Sequence, residues 1–277
     1  MTSYTVEKLL DLPFYTEGPA MDVDLNFYFT ALTGGFIGKI DGEGFYTEWS
    51  KGTCPNGQII LENGEHWFCD SQEAGISRYG PQGDFLGYLM KGVCGDDRIQ
   101  APNDLIVDSS KNLYFTDSVR GEGKVFFQSA NGQQLVVAKD IDYANGLALS
   151  LDERYLYVAE SYQNRILAIE LSDPGIAKSP KKIFAELPTH PSGQATGNLP
   201  DGLVVDRDGK LWVAHYGMQA IQVLAPTGQL VFTIDTALPL TSNLCFIEDS
   251  PSCQKLLVTG GYGEPGPGAV LLITIQN

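Results

Sequence analysis

Six polar residues recur along the chain in the same local company: Glu17-Gly18-Pro19, Asn56-Gly57-Gln58, Asn103-Asp104-Leu105, Asn145-Gly146-Leu147, Asp201-Gly202-Leu203 and Asn243-Leu244-Cys245. Four are amides and two are carboxylates. Gathered at one point, they would offer hard oxygen atoms and about two negative charges, the donor chemistry that suits Ca2+ or Mg2+. Without a cation, two carboxylates brought together out of water repel, and one must take up a proton. A single Asn-Gly is only a turn signal. Six in register require a scaffold that turns them toward a common axis.

The spacing points to that scaffold. The six openings lie 39 to 56 residues apart. Each starts an apolar run, then a tight turn, then a second run, as in Asn145–Ala159 and Asp201–Ala214. Strands are expected at Asn26–Thr30, His66–Cys69, Asn112–Thr116, Tyr155–Ala159, Leu211–Ala214 and Lys255–Thr259, with no sustained helical period. An all-β period of about 40–50 residues is one four-stranded blade per repeat. The expected fold is therefore all-β, a six-bladed β-propeller forming a single domain over residues 1–277. The last repeat, from Asn243, has room for three strands. Tyr4–Leu12 is expected to close that blade as its fourth strand and leave no open edge.

In such a ring the first strand of each blade lines the central channel, so Glu17, Asn56, Asn103, Asn145, Asp201 and Asn243 meet at one mouth. The second strand returns to the same mouth. Asp70, Asp117, Glu160, His215 and Gly260 are expected to line a pocket there. Two long segments lead into it. Met90–Pro102 carries Arg98, a candidate for binding an anionic or polyhydroxylated ligand, and Pro188–Pro200 is a candidate lid.

Composition narrows the partners. The 277 residues are 43% hydrophobic and 19% charged, which excludes a disordered chain. A net charge of −16 disfavours nucleic acid and anionic membranes and leaves a small molecule as the expected partner. No apolar stretch approaches the ~18 residues of a membrane span, and no basic segment followed by an apolar core opens the chain. A cytoplasmic monomer or weak homo-oligomer is expected. The five cysteines fit no zinc spacing and read as idle thiols. Gly261–Gly266 matches a dinucleotide fingerprint only as text, because a proline interrupts it and no helix follows. Asp22–Asn26 opens like an EF-hand loop but lacks its later glycine and glutamate. No Gly-x-Ser-x-Gly elbow is present.

Four of the openings carry a family resemblance: Glu17-Gly18-Pro19; Pro102-Asn103-Asp104 with Leu113–Asp117; Asn145-Gly146-Leu147 with Leu156–Ala159; and Pro200-Asp201-Gly202 with Leu211–Ala214. In this order and at blade spacing they resemble the SMP-30/gluconolactonase family, which includes regucalcin and the luciferin-regenerating enzyme. The resemblance implies a propeller with one divalent cation in its channel. Ca2+ is the foremost candidate, with Mg2+, Mn2+ and Zn2+ the others. It implies hydrolysis of a small lactone of the sugar-lactone type. It makes Glu17, Asn145 and Asp201 metal ligands, with Asn103 a further ligand or substrate contact, and places Asp104 beside the substrate. Arg98, Asp117 and His215 complete the expected substrate-binding set. The expected chemistry is a metal-polarised carbonyl attacked by a water that Asp201 deprotonates, with Asp201 as nucleophile the second option and Asn103 orienting the substrate. Ala101 stands where the regucalcin-like branch carries an arginine. The alternatives are a phosphotriesterase of the diisopropylfluorophosphatase type and a non-catalytic calcium-binding or regulatory propeller.

Overall fold

β-Branched and aromatic runs between Gly- and Asp-rich turns become strands along the whole chain. The computed structural model describes residues 3–194 and 197–276. Blade 1 comprises Thr16–Met21, Phe27–Ala31, Phe36–Ile40 and Tyr46–Lys51, and blade 2 runs from Pro55–Ile60 to Phe85–Lys91. Blade 3 begins at Pro102–Val107, blade 4 at Ala144–Leu149, blade 5 at Leu199–Val205 and blade 6 at Leu240–Asp249. Within each blade the strands follow one another antiparallel. The result is the six-bladed propeller expected from the repeat.

Closure follows the expected route. Ser3–Leu12 pairs antiparallel with Gly268–Gln276, Tyr4 opposite Ile275 and Leu12 opposite Gly268. The outer strand of blade 6 is thus the first strand of the chain. Apolar side chains bury between blades rather than in one central core. Phe29, Phe36, Leu257 and Val270 fill the seam between blades 6 and 1, and Trp212, Leu256 and Ile273 fill the seam between blades 5 and 6.

Two local devices set the inner strands. At the end remote from the ring, an aspartate caps the turn between first and second strands. Asp108 accepts from the amides of Ser110 and Asn112 at 2.9 and 2.8 Å, and Asp206 does the same for Asp208 and Lys210 at 2.9 and 2.8 Å. Asp22 plays this part in blade 1, so the EF-hand-like text is a turn cap. At the ring end, glycine allows neighbouring inner strands to touch. A Cβ on Gly146 would lie 2.2 Å from the carbonyl oxygen of Asp201, and one on Gly202 would lie 2.1 Å from Oδ1 of Asn243. The glycine after the ring residue is therefore a packing requirement imposed by the next blade.

Ser161–Gln163 forms a single 3-10 turn, and among the described residues no helix is long and apolar enough to cross a membrane. The five cysteines are all free thiols.

Two outcomes follow. Gly146→Ala should lower stability by about 1–3 kcal/mol, because the clash is with backbone that cannot rotate away. A urea titration reads this, and an unchanged midpoint would remove the close-approach argument. Deleting residues 1–12 should expose the edge of Gly268–Gln276 and produce soluble aggregates in light scattering. A monodisperse, equally stable truncation would show that the seam does not need the first strand.

Candidate metal centre and active-site cavity

The first strands deliver their opening residues to one end of the channel. Glu17, Asn56, Asn103, Asn145 and Asp201 all line a single cavity of about 240 Å3. Glu17, Asn145 and Asp201 are 5, 6 and 8% exposed. Asn243 is as deeply buried but does not line the cavity, and its Oδ1 accepts from the amide of Leu244 at 2.8 Å.

Burial outside water dominates the electrostatics. It pushes Glu17 from 4.5 to about 8, with the charge of Asp104 adding to the effect. Asp201 is raised well above its ordinary value, first by burial and then by the charge of Glu17. Asp104 rises from 3.8 to about 6, again through burial. Glu17 and Asp201 thus share one cavity with Asp104 close enough to add to their repulsion, and no basic side chain is among the described cavity-lining residues.

The amide beside them is oriented with its oxygen free. Asn145 Nδ2 donates to Ser161 Oγ at 3.2 Å, and Ser161 Oγ donates to the carbonyl of Pro200 at 2.7 Å. Asn145 Oδ1 is buried and has no hydrogen-bond partner, and the same holds for Asn56 Oδ1. A buried acceptor without a donor costs roughly 1–3 kcal/mol. Two such oxygens next to two repelling carboxylates form a donor set that a hard divalent cation satisfies. No group of three His, Cys, Asp or Glu side chains fit for a metal occurs among the described residues. The set here depends on amide oxygens as much as on carboxylates.

The residues expected above the ring take a different role. Asp117 Oδ1 accepts from the amides of Gln100 and Ala101 at 3.0 and 2.6 Å, and Asp70 accepts from Thr53 and Cys54 at 2.9 and 3.1 Å. Glu160 accepts from the amide of Asp142 at 2.8 Å. Each ties down the segment that enters its own blade's first strand, because the second strand ends opposite that entry point. His215 is the blade-5 counterpart. It is fully buried, its Nε2 lies 2.9 Å from Asn164 Oδ1, and burial lowers its pKa to about 4. Asp117 and His215 therefore do not line the cavity.

Asp104 and Arg98 also lie elsewhere. Asp104 occupies the position that glycine holds in four of the other repeats. Its Oδ1 accepts from the amide of Leu105 at 2.9 Å, and its carboxyl also takes the backbone N–H of Leu147, joining blade 3 to blade 4. Arg98 is exposed in a short hairpin, Val93–Cys94 with Asp97–Arg98, away from the cavity. Of the described residues in Pro188–Pro200, Leu199 alone reaches the cavity; residues 195 and 196 lie outside the described part of the chain.

The cavity walls were not anticipated from the repeat. They are Tyr15, Tyr143, Tyr162 and Tyr216, with Leu32, Leu199 and Glu264. Tyr143 and Tyr162 meet edge-to-face at 5.4 Å, and Tyr15 and Tyr216 at 6.3 Å. Most sit in loops, where no periodicity marks them. The one usable signal was position: each lies just before a first strand or just after a second.

Comparison with known proteins agrees with this geometry. Lactonase drp35 from Staphylococcus haemolyticus is 30% identical over 244 residues, 81% of this chain and 71% of that protein. Lactonase drp35 from Staphylococcus aureus (strain USA300) is 33% identical over 199 residues, and there the match spans 57% of the relative's length. A gluconolactonase structure from Xanthomonas campestris shares 26% identity with a TM-score of 0.82, covering 98% of this chain and 90% of that one. The calcium-binding protein regucalcin from Agrobacterium tumefaciens, 18% identical with a TM-score of 0.81 over 99% and 95% of the two chains, shares the fold. Residues 15–261 match the SMP-30/Gluconolactonase/LRE-like region, and the chain belongs to that family.

Proposed function

We propose that this protein is a metal-dependent lactonase that opens a small lactone of the sugar-lactone type. The observation that carries the reading is the cavity floor: Glu17 and Asp201 raised by burial beside the unpartnered Oδ1 of Asn145. The family and its lactonase members support the substrate class.

Glu17, Asn145 and Asp201 would hold the cation, with Asn103 a fourth oxygen or the first contact to substrate. Calcium is the leading candidate, because the donors are all hard oxygens and a related fold is that of a calcium-binding protein. When bound, a divalent cation supplies carbonyl polarisation and stabilises the negative charge that develops on the ester oxygen. Asp201 takes the proton of the attacking water as general base and returns it to the ring oxygen as the acyl–oxygen bond of the lactone breaks, giving the hydroxy acid. Asn103 orients the lactone from the cavity wall. The tyrosines exclude bulk water from one side of the ring.

Asp201→Asn should reduce lactone hydrolysis by about 10²–10⁴-fold. The same variant, freed of one buried carboxylate, should resist urea at least as well as the parent when both are chelated. Lactone turnover in a pH-stat reads the first effect. Near-parental turnover would remove Asp201 from the chemistry.

The raised carboxyls also give a signed dependence on pH. Glu17 binds its proton more tightly folded than unfolded, so this term favours the folded chain at acidic pH and is lost as pH rises through about 8. Asp104 and Asp201 act in the same direction. The urea midpoint of chelated protein should therefore fall between about pH 5 and 8, and saturating Ca2+ should abolish the fall. A chelated midpoint independent of pH across that window would count against a charged ring awaiting a cation.

A further inference from the structure

The cavity mouth holds a carboxylate that the ring does not use. Glu264 lies in the loop between Cys253–Gly261 and Gly268–Gln276 and lines the cavity beside Tyr216. The Tyr216 hydroxyl donates to it. The loop is pinned by main-chain bonds. The Tyr15 amide donates to the Pro265 carbonyl at 2.9 Å, and the Tyr262 amide donates to the Pro267 carbonyl at 2.8 Å. Tyr15 stands two residues before Glu17, so one stretch of chain positions both the ring carboxylate and Glu264.

The charges around it do not cancel. A divalent cation would balance Glu17 and Asp201, leaving Glu264 in excess. No lysine, arginine or histidine lines the cavity among the described residues. Arg120 stacks on Tyr162 with its guanidinium carbon 3.5 Å from the ring centroid, but it is paired with Asp142 at 2.8 Å and does not line the cavity. The remaining walls are tyrosines, Leu32, Leu199 and Ser161. Such a mouth carries a negative charge and, among the described residues, no positive side chain of its own.

We propose that Glu264 is a specificity-determining residue: with Tyr216 it accepts hydrogen bonds from hydroxyl groups of a neutral, polyhydroxylated lactone and rejects lactones that carry their own carboxylate. The inference rests on the lactonase reading and adds the charge class of the substrate. A carboxylate is an acceptor only, which suits a hydroxyl donor. An anionic substrate would meet an uncompensated like charge in a partly dry site, a penalty of about tenfold or more in binding.

The test uses two lactones that differ in one group, gluconolactone and the lactone of glucaric acid, in which the terminal CH2OH is a carboxylate. kcat and KM for each are measured with metal-loaded parent, Glu264→Gln and Tyr216→Phe. The parent should prefer gluconolactone. Glu264→Gln should raise KM for gluconolactone several-fold and lower KM for the glucaric lactone about tenfold, with kcat for both changing less. Tyr216→Phe should move the same ratio in the same direction by less. Calorimetric binding of the neutral polyol glucitol against the dianion glucarate is measured in the same three proteins. If lactones turn over but both KM ratio and binding preference are unchanged by Glu264→Gln, the Glu264 proposal is overturned and the lactonase reading stands. If no lactone turns over yet the glucitol preference collapses in Glu264→Gln, the charge selection stands and the lactonase reading fails.

Discussion

Glu17 and Asp201 are brought to the same end of one channel and held there almost entirely out of water. Among the described residues nothing basic lines the cavity to neutralise them. Two carboxyls in that position must either keep protons or share a cation, and the free amide oxygen of Asn145 favours the cation. The rest of the molecule can be understood as what sustains this unfavourable juxtaposition. Six interblade seams of apolar side chains supply the stability that the polar axis lacks, and the first strand of the chain closes the last seam.

The ring's precision comes from small features around it. Glycine after the ring residue lets the next inner strand approach to contact distance at Gly146 and Gly202. In blades 2 to 4 a carboxylate at the end of the second strand, Asp70, Asp117 or Glu160, fastens the loop that precedes its own blade's ring residue, and in blade 5 His215 bonds the backbone of Asn198 there. These groups act on the site through backbone placement rather than by touching its contents.

The cavity walls form a separate layer. Tyr143, Tyr162, Tyr216 and Glu264 come from loops or strand ends of three different blades, and only Tyr143 has a like counterpart, Tyr15, two residues before another ring residue. The repeat builds a generic metal-ready floor, while the loops differ from blade to blade and give the cavity its aromatic and acidic rim.

The sequence alone determined the blade count, the closure by Ser3–Leu12 and the convergence of Glu17, Asn103, Asn145 and Asp201. All of these follow from strand periodicity and from a glycine that recurs wherever two backbones touch. Those are local signals, written into each repeat. Only the tertiary structure decided which of the remaining polar residues face the ligand. Asp117, His215 and Asp104 have the right types and near-correct positions, yet Asp117 Oδ1 and His215 are tied to backbone entering their own blades, and Asp104 is tied to the Leu147 amide of the next blade. Tyr216 and Glu264 carry no periodic mark, and they meet Tyr15 only because the ring brings the ends of the chain together. A side chain's availability depends on what satisfies it in space, and that is settled by contacts between residues far apart in the chain.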